Sequence, residues 1–242
     1  PTGPYPGGSP TVPAVLAGYL HRDPKGKQRV LAAAPFPFGT EVTVGVRKMS
    51  ENTDRVHVHA QSFDMADGTL RTNLTYEGWR LTITQFVSRS DPTLACMRIT
   101  AATVSTADMP NALSIAPNIV LPKYNATTGS GVPGELVNDT IPVPNWTWDA
   151  CTTISLRSDC GSRLGLTAKG ITTNLTAEGT HTVYDLIAAS VAGDLYAPQD
   201  PMLAAYDAME KGLYIGGFDE LQRRNRVAWS DIWRGRIVID GL

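Results

Sequence analysis

Apolar and polar positions alternate at period two through most of this chain. In "EVTVGV" the alternation places Val42, Val44 and Val46 on one face of an extended segment, and "RVHVHA" follows the same pattern. "LRTNLTYEGWRLTITQFVSR" reads as two strands joined at Glu77–Gly78, where a glycine supplies the backbone freedom a tight turn needs. "TLACMRITAATV" is more continuously apolar, as a buried strand is, and "TTISLR", "SRLGLTAKG" and "HTVYDLIAASV" add further strands. Residues 122–150, with "TTGSGVPGE" and "PVPNWTWD", read as a long irregular connection. Residues 1–13, "PTGPYPGGSPTVP", predict an extended lead-in without regular structure. There is no internal repeat. Many short strands with regular turn signals predict a mainly β fold, a large antiparallel β-sandwich over residues 14–198.

The period changes near residue 200. Asp200 suits an N-cap and Pro201 a first helical turn. "PMLAAYDAMEK" then runs helical to Gly212, which predicts the stop. After "GLYIGG" a second helix begins near Phe218 or Asp219 and runs to 234, carrying Leu221, Ala228, Trp229, Ile232 and Trp233. Trp229 and Trp233 are four apart, so they share a face. "RIVID" reads as the start of a strand or an extended arm. Residues 199–242 thus read as two helices and an extended arm, and the face with Trp229, Ile232 and Trp233 is a candidate contact surface.

Composition narrows the function classes. At 242 residues the chain is long enough to bury a sizeable core. Its formal net charge is −2, with acids and bases mixed and no long Lys/Arg run, which gives no support for a nucleic acid or an anionic membrane as partner. "VPAVLAGYL" is too short to span a bilayer and lacks the basic flank and cleavage site of a signal peptide. The first residue is Pro1 rather than Met, implying that something upstream was removed or lies outside this sequence.

The asparagines speak to compartment. Of nine, five lie in N-x-T sequons: Asn73, Asn125, Asn138, Asn145 and Asn174. With 39 Ser and Thr in 242 residues, chance gives about one or two. The excess favours a secreted or vacuolar/lysosomal glycoprotein; the alternatives are a Thr-rich β protein in which N-x-T is ordinary strand vocabulary, and a cytoplasmic protein if the source is bacterial. Among the three cysteines, Cys96 sits in the apolar run "LACMRIT" and reads as a buried thiol. Cys151 and Cys160 bracket "TTISLRSD". A disulfide between them is expected of an exported protein, two reduced thiols in neighbouring strands otherwise, and the sequence leaves both open.

Candidate chemistry is sparse. Asp64 and Asp67 in "FDMADGTL" have the look of an acid/base pair, but a tight turn before Gly68 with aspartates capping the backbone accounts for them better. His57 and His59 fall on one strand face and lack an evident third metal ligand. Trp146 and Trp148 in "PNWTWD" could form an aromatic platform for a carbohydrate, or anchor a loop in the core. No nucleophile elbow, zinc motif, P-loop or dinucleotide fingerprint is present. The residues give no catalytic set, no metal site and no cofactor.

Three stretches together resemble one family. "QSFDMADGTLRTNLTYEGWRLTITQFVSRSDPTLACMRIT" resembles the Asp-Met-x-x-Gly-x-Leu turn, the Phe-Val-Ser-Arg strand end and the Pro-x-Leu-Ala…Arg strand of the N-terminal domain of glycoside hydrolase family 65. The matching residues are Asp64, Met65, Gly68, Leu70, Phe86, Val87, Ser88, Arg89, Pro92, Leu94, Ala95 and Arg98. "LAGYLHR" and "AAPFPFGTEVTV" resemble the family's earlier segments, and "NRVAWSDIWRGRIVIDG" its linker helix with Ala-Trp-x-x-x-Trp and its Ile-x-Ile-x-Gly arm. Asn225 stands where members often have His, and the early Asn-Gly-x-x-Gly segment is missing. The family holds acid trehalases, a glucosidase acting on glucosylgalactosyl-hydroxylysine, and disaccharide phosphorylases. The resemblance implies a β-supersandwich whose linker leads to an (α/α)6 catalytic barrel. That barrel, as a chain or domain of the same enzyme, is the implied partner; it would hold most of the carbohydrate substrate, and the assembled enzyme could form a homodimer. The implied role is the non-catalytic part of a hydrolase cleaving an α-glucoside such as trehalose or a glucosylated glycan. The alternatives are the same domain of an inverting disaccharide phosphorylase and a free-standing carbohydrate-binding module. The catalytic glutamate belongs to the barrel, so no catalytic residue carries over.

Overall fold

A computed structural model describes residues 14–22, 28–104, 111–119, 134–136, 151–176, 179–193 and 199–235. The described residues are mainly β, with antiparallel sheets and two α-helices. The strands are β1 (Ala14–Arg22), β2 (Arg29–Ala34), β3 (Thr40–Val44), β4 (Arg47–Lys48), β5 (His57–Asp64), β6 (Thr69–Tyr76), β7 (Trp79–Val87), β8 (Leu94–Thr103), β9 (Leu113–Pro117), β10 (Glu135–Leu136), β11 (Thr152–Arg157), β12 (Arg163–Asn174) and β13 (His181–Gly193). Helices α1 (Pro201–Tyr214) and α2 (Gly217–Arg234) follow. An eight-stranded sheet runs β10-β11-β12-β13-β8-β7-β6-β5; β4-β3-β9 and β1-β2 form two smaller sheets.

Alternation along the long strands splits the large sheet into two faces. On one, Leu81 and Ile83 of β7, Met97 and Ile99 of β8 and Leu186 of β13 pack with Val42 and Val44 of β3 and Ile115 of β9. Farther along that sheet, Leu156 of β11 and Leu164 and Leu166 of β12 pack with Tyr19 of β1 and Ala32 and Ala34 of β2. On the opposite face, Phe86, Cys96 and Ile187 meet Ala205 and Met209 of α1 and Phe218 and Leu221 of α2. Strands β8 and β13 are thus covered on both faces where the helices cross, which explains their apolar runs.

The turns follow their chemistry. Glu77 and Gly78 both have positive φ between the paired Tyr76 and Trp79, so the predicted turn is a type I′ hairpin. Val46 departs from the predicted face: it is 94% exposed while Val42 and Val44 are buried. Gly45, at φ +61, starts a two-residue turn that pairs Val44 with Arg47, and this leaves Val46 at the tip. Gly212 also departs. It is not the stop of α1 but a buried position inside it, facing Leu94, Ile187 and Leu221, where the missing side chain lets the helix lie close to the sheet. Asp200 caps α1 as predicted, accepting the Met202 N–H at 2.8 Å.

Cys96 is fully buried, and burial pushes its thiol up to about 12. Cys151 and Cys160 do not form the expected disulfide. They lie at opposite ends of β11, and a strand of this length sets them about 20 Å apart, against the roughly 7 Å limit between Cα atoms that a bridge tolerates. Cys151 packs at the edge of the helix-side core, whereas the Cys160 thiol donates to the Leu20 carbonyl at 3.0 Å.

Candidate functional site

A dense constellation of polar contacts lies where α2 crosses the large sheet and the β5–β6 turn. That turn is built by its own sequence. The Asp64 carboxylate accepts the Ala66 N–H at 2.9 Å, the Asp67 carboxylate accepts the Thr69 N–H at 3.1 Å, and Gly68 takes φ +65. Both aspartates cap the backbone of this turn. Asp67 is only 5% exposed because α2 lies over it.

Asn225 is the centre of the contact. It is fully buried, accepts the Arg89 N–H at 2.7 Å through Oδ1, and donates to the Asp67 carbonyl at 2.6 Å through Nδ2. One amide therefore satisfies the backbone at the end of β7 and at the β5–β6 turn together. One residue on, the Arg226 guanidinium reaches the Asp67 carboxylate at 3.1 Å. The Trp229 indole lies against Gly68 so closely that a Cβ there would sit 2.7 Å from its Nε1. Trp233 stacks on Trp229 with ring centroids 6.5 Å apart and donates to the Met65 carbonyl at 3.0 Å.

A second anchor holds the start of α2. Arg98 on β8 grips Asp185 on β13 through two bonds, at 2.6 and 2.8 Å, and Asp219 on α2 through two more, at 2.6 and 3.1 Å. Its guanidinium also lies 4.4 Å over the Phe218 ring, which meets Phe86 edge to face at 5.5 Å. The hydrogen bond to Asp185 leads in raising the Arg98 pKa above its ordinary value, against the opposing effect of burial. Two planar forks on one guanidinium fix the azimuth of the helix, which a lysine could not do.

Residues of the family-like stretch 61–100, Asp64, Met65, Gly68, Phe86, Arg89 and Arg98, lie on three strands and in the turns that follow them, and converge here. Helix α2 is the element they converge on. Asp185 and Asp219 were not singled out by sequence; an acid inside the apolar run "VYDLIAAS" was the available signal, since a charge in such a strand needs a partner.

The remaining candidates fall elsewhere. His57 and His59 lie exposed on edge strand β5, with the His59 ring 3.1 Å from the Thr75 hydroxyl, and no third metal-ligating side chain joins them among the described residues. A shallow cleft of about 330 Å³ is lined by Asp54, Arg55, His57, Thr75 and Glu77. Its Glu77 is tied to Arg55 and Arg47, each at 2.8 Å, and the Arg55 hydrogen bond leads in holding that carboxylate below its usual range. Such a carboxylate is a poor proton donor. Asn73 and Asn174 are exposed on β6 and β12. Asn125, Asn138, Asn145, Trp146, Trp148 and the arm beyond 235 lie outside the described residues. On α2, Leu221 is buried, Trp229 and Trp233 are half-buried, and Ile232 is 40% exposed.

No family model and no curated protein matches the sequence. A solved structure matches the fold. A protein named "Putative kojibiose phosphorylase from human microbiome" aligns with 92% of this chain at a TM-score of 0.60 and 10% identity. The fold is shared. The chain spans 31% of that protein's length. At this identity the likeness speaks to architecture alone.

Proposed function

We propose that this chain is the non-catalytic β-supersandwich and linker of a carbohydrate-active enzyme of the glycoside hydrolase family 65 type. The observation that carries the reading is the convergence of the family-like turn, strand end and strand arginine on one buried dock for α2, within a fold shared with a protein named as a phosphorylase. The smaller sheets packed on the large one form the sandwich, and α2 is the linker. The half-buried Trp229–Trp233 stack and the exposed Ile232 leave a strip at the end of α2 for the (α/α)6 catalytic barrel. In this reading Asp64 and Asp67 serve the turn, chemistry belongs to that barrel, and the role of this chain is to orient it.

The reaction is hydrolysis or phosphorolysis of an α-glucoside. The sequons favour an exported hydrolase; the name of the structural neighbour favours a phosphorylase. Intact mass of the native material identifies the barrel, as a continuation of the chain or as a second polypeptide. That material is then assayed on trehalose, kojibiose and maltose with and without inorganic phosphate. Turnover without phosphate establishes hydrolysis, and phosphate-dependent release of a sugar phosphate establishes phosphorolysis. Native material with no barrel, or turnover by the 242-residue chain alone, would overturn the proposal.

A further inference from the structure

Two of the five sequons fall in the described residues, and the fold treats them alike. Asn73 lies exposed in the middle of β6, where Thr82 of the neighbouring β7 donates its hydroxyl to Oδ1 at 3.0 Å. Asn174 lies exposed at the end of β12, where Thr182 of the neighbouring β13 donates to Oδ1, also at 3.0 Å. In both, the carbonyl half of the amide is held against the sheet, and Nδ2 has no hydrogen bond among the described residues. Both hydrogen bonds survive substitution on nitrogen, because they use the oxygen.

Their placement adds a second argument. The register aligns Asn73 with Thr82, Thr82 with Thr100, Thr100 with Val183 and Val183 with Thr173, the residue before Asn174. The two asparagines thus occupy nearly one row across the large sheet, four strands and about 19 Å apart. Asn73 points to the helix side and Asn174, paired with Thr182, to the other. The row lies beyond the reach of α2, whose C-terminal half sits over the β5–β6 turn four residues, or about 13 Å, away along β6. Nothing described covers either side chain.

We propose that Asn73 and Asn174 are N-glycosylation sites that mark this end of the sheet as permanently solvent-facing. In the transfer, Nδ2 bonds to the anomeric carbon of a lipid-pyrophosphate-linked oligosaccharide. The anomeric C–O bond breaks, the lipid pyrophosphate leaves with the electron pair, and the amide nitrogen gives up one proton. Transfer precedes folding, so the folded chain must accommodate the sugar; an exposed Asn whose Nδ2 is free of the sheet does so without loss of a contact. The inference stands independently of the enzymatic reading.

The test is peptide mapping of the full chain, from its native source and from a eukaryotic secretory host, before and after peptide-N-glycosidase. Both asparagines are expected to carry glycan in both preparations. Asn73→Gln and Asn174→Gln should each remove one glycan, as should Thr75→Ala and Thr176→Ala, which leave the asparagines in place. Thr75→Ser and Thr176→Ser should keep the glycans and so control for misfolding. An unmodified Asn73 or Asn174 in folded chain from either preparation overturns the proposal, as does a glycan that persists after the Thr→Ala change.

Discussion

Replacing Asn225 by Ala tests whether the docking of α2 depends on one amide. The side chain is fully buried and serves two backbone groups, the Arg89 N–H and the Asp67 carbonyl. Alanine can serve neither. Leaving the buried Asp67 carbonyl unpaired costs about 1–3 kcal/mol, and the part-buried Arg89 N–H adds less because water can reach it. The loss is capped by the free energy that holds α2 on the sheet, because beyond it the helix undocks and water reaches the carbonyl as well. The mutation should therefore loosen α2 before it unfolds the strands. Hydrogen exchange reads this: amides of α2 should exchange faster while those of β8 and β13 stay protected. In urea, indole fluorescence from the Trp229–Trp233 stack should change ahead of the far-UV signal. Asn225→Asp keeps the acceptor for Arg89, loses the donor to Asp67 and adds a charge beside the Asp67 carboxylate. It should be at least as damaging at neutral pH. Asn225→Ala within about 0.5 kcal/mol of the parent, the range of an ordinary surface change, with unaltered exchange in α2, would refute the reasoning.

Three further outcomes follow from particular contacts. Gly68→Ala and Gly179→Ala both place a Cβ at positive φ, a strain of about 1–2 kcal/mol, but only at Gly68 does the Cβ meet Trp229, while nothing lies within 4 Å at Gly179; equal urea midpoints for the two variants would show that the indole does not rest on that backbone. Burial raises Cys96 to about 12 in the folded chain, so the unfolded state sheds its proton first. The stability this thiol contributes is present below about pH 9 and falls by at most about 1.4 kcal/mol per pH unit between there and pH 12; Cys96→Ala should flatten the alkaline limb of a pH–stability curve relative to the parent, and identical curves would contradict it. Denaturation without reductant should expose three titratable thiols per chain, since Cys151 and Cys160 are held at opposite ends of β11, and a count of one would restore the disulfide.

What the sequence determined by itself is local. Period-two alternation and turn chemistry place strands at 69–76 and 79–87 and the hairpin at Glu77–Gly78, because side-chain direction along a strand and positive φ at a turn depend on neighbours in the chain. The Asp200–Pro201 start of α1 is legible for the same reason. Positions whose meaning depends on a distant surface were misread. Gly212 has the composition of a helix stop, yet serves contact with β8 and β13. Cys151 and Cys160 are close in number, but a strand runs between them. The dock itself was decided only by tertiary structure: Asn225 and Asp67 are 158 positions apart and joined by one 2.6 Å bond. In the sequence, Asn225 is a polar residue on a polar stretch of helix and Asp67 a turn former. Burying them together converts each into a group that must be paired, because an unpaired polar atom out of reach of water is costly, and that requirement is set by which surfaces meet.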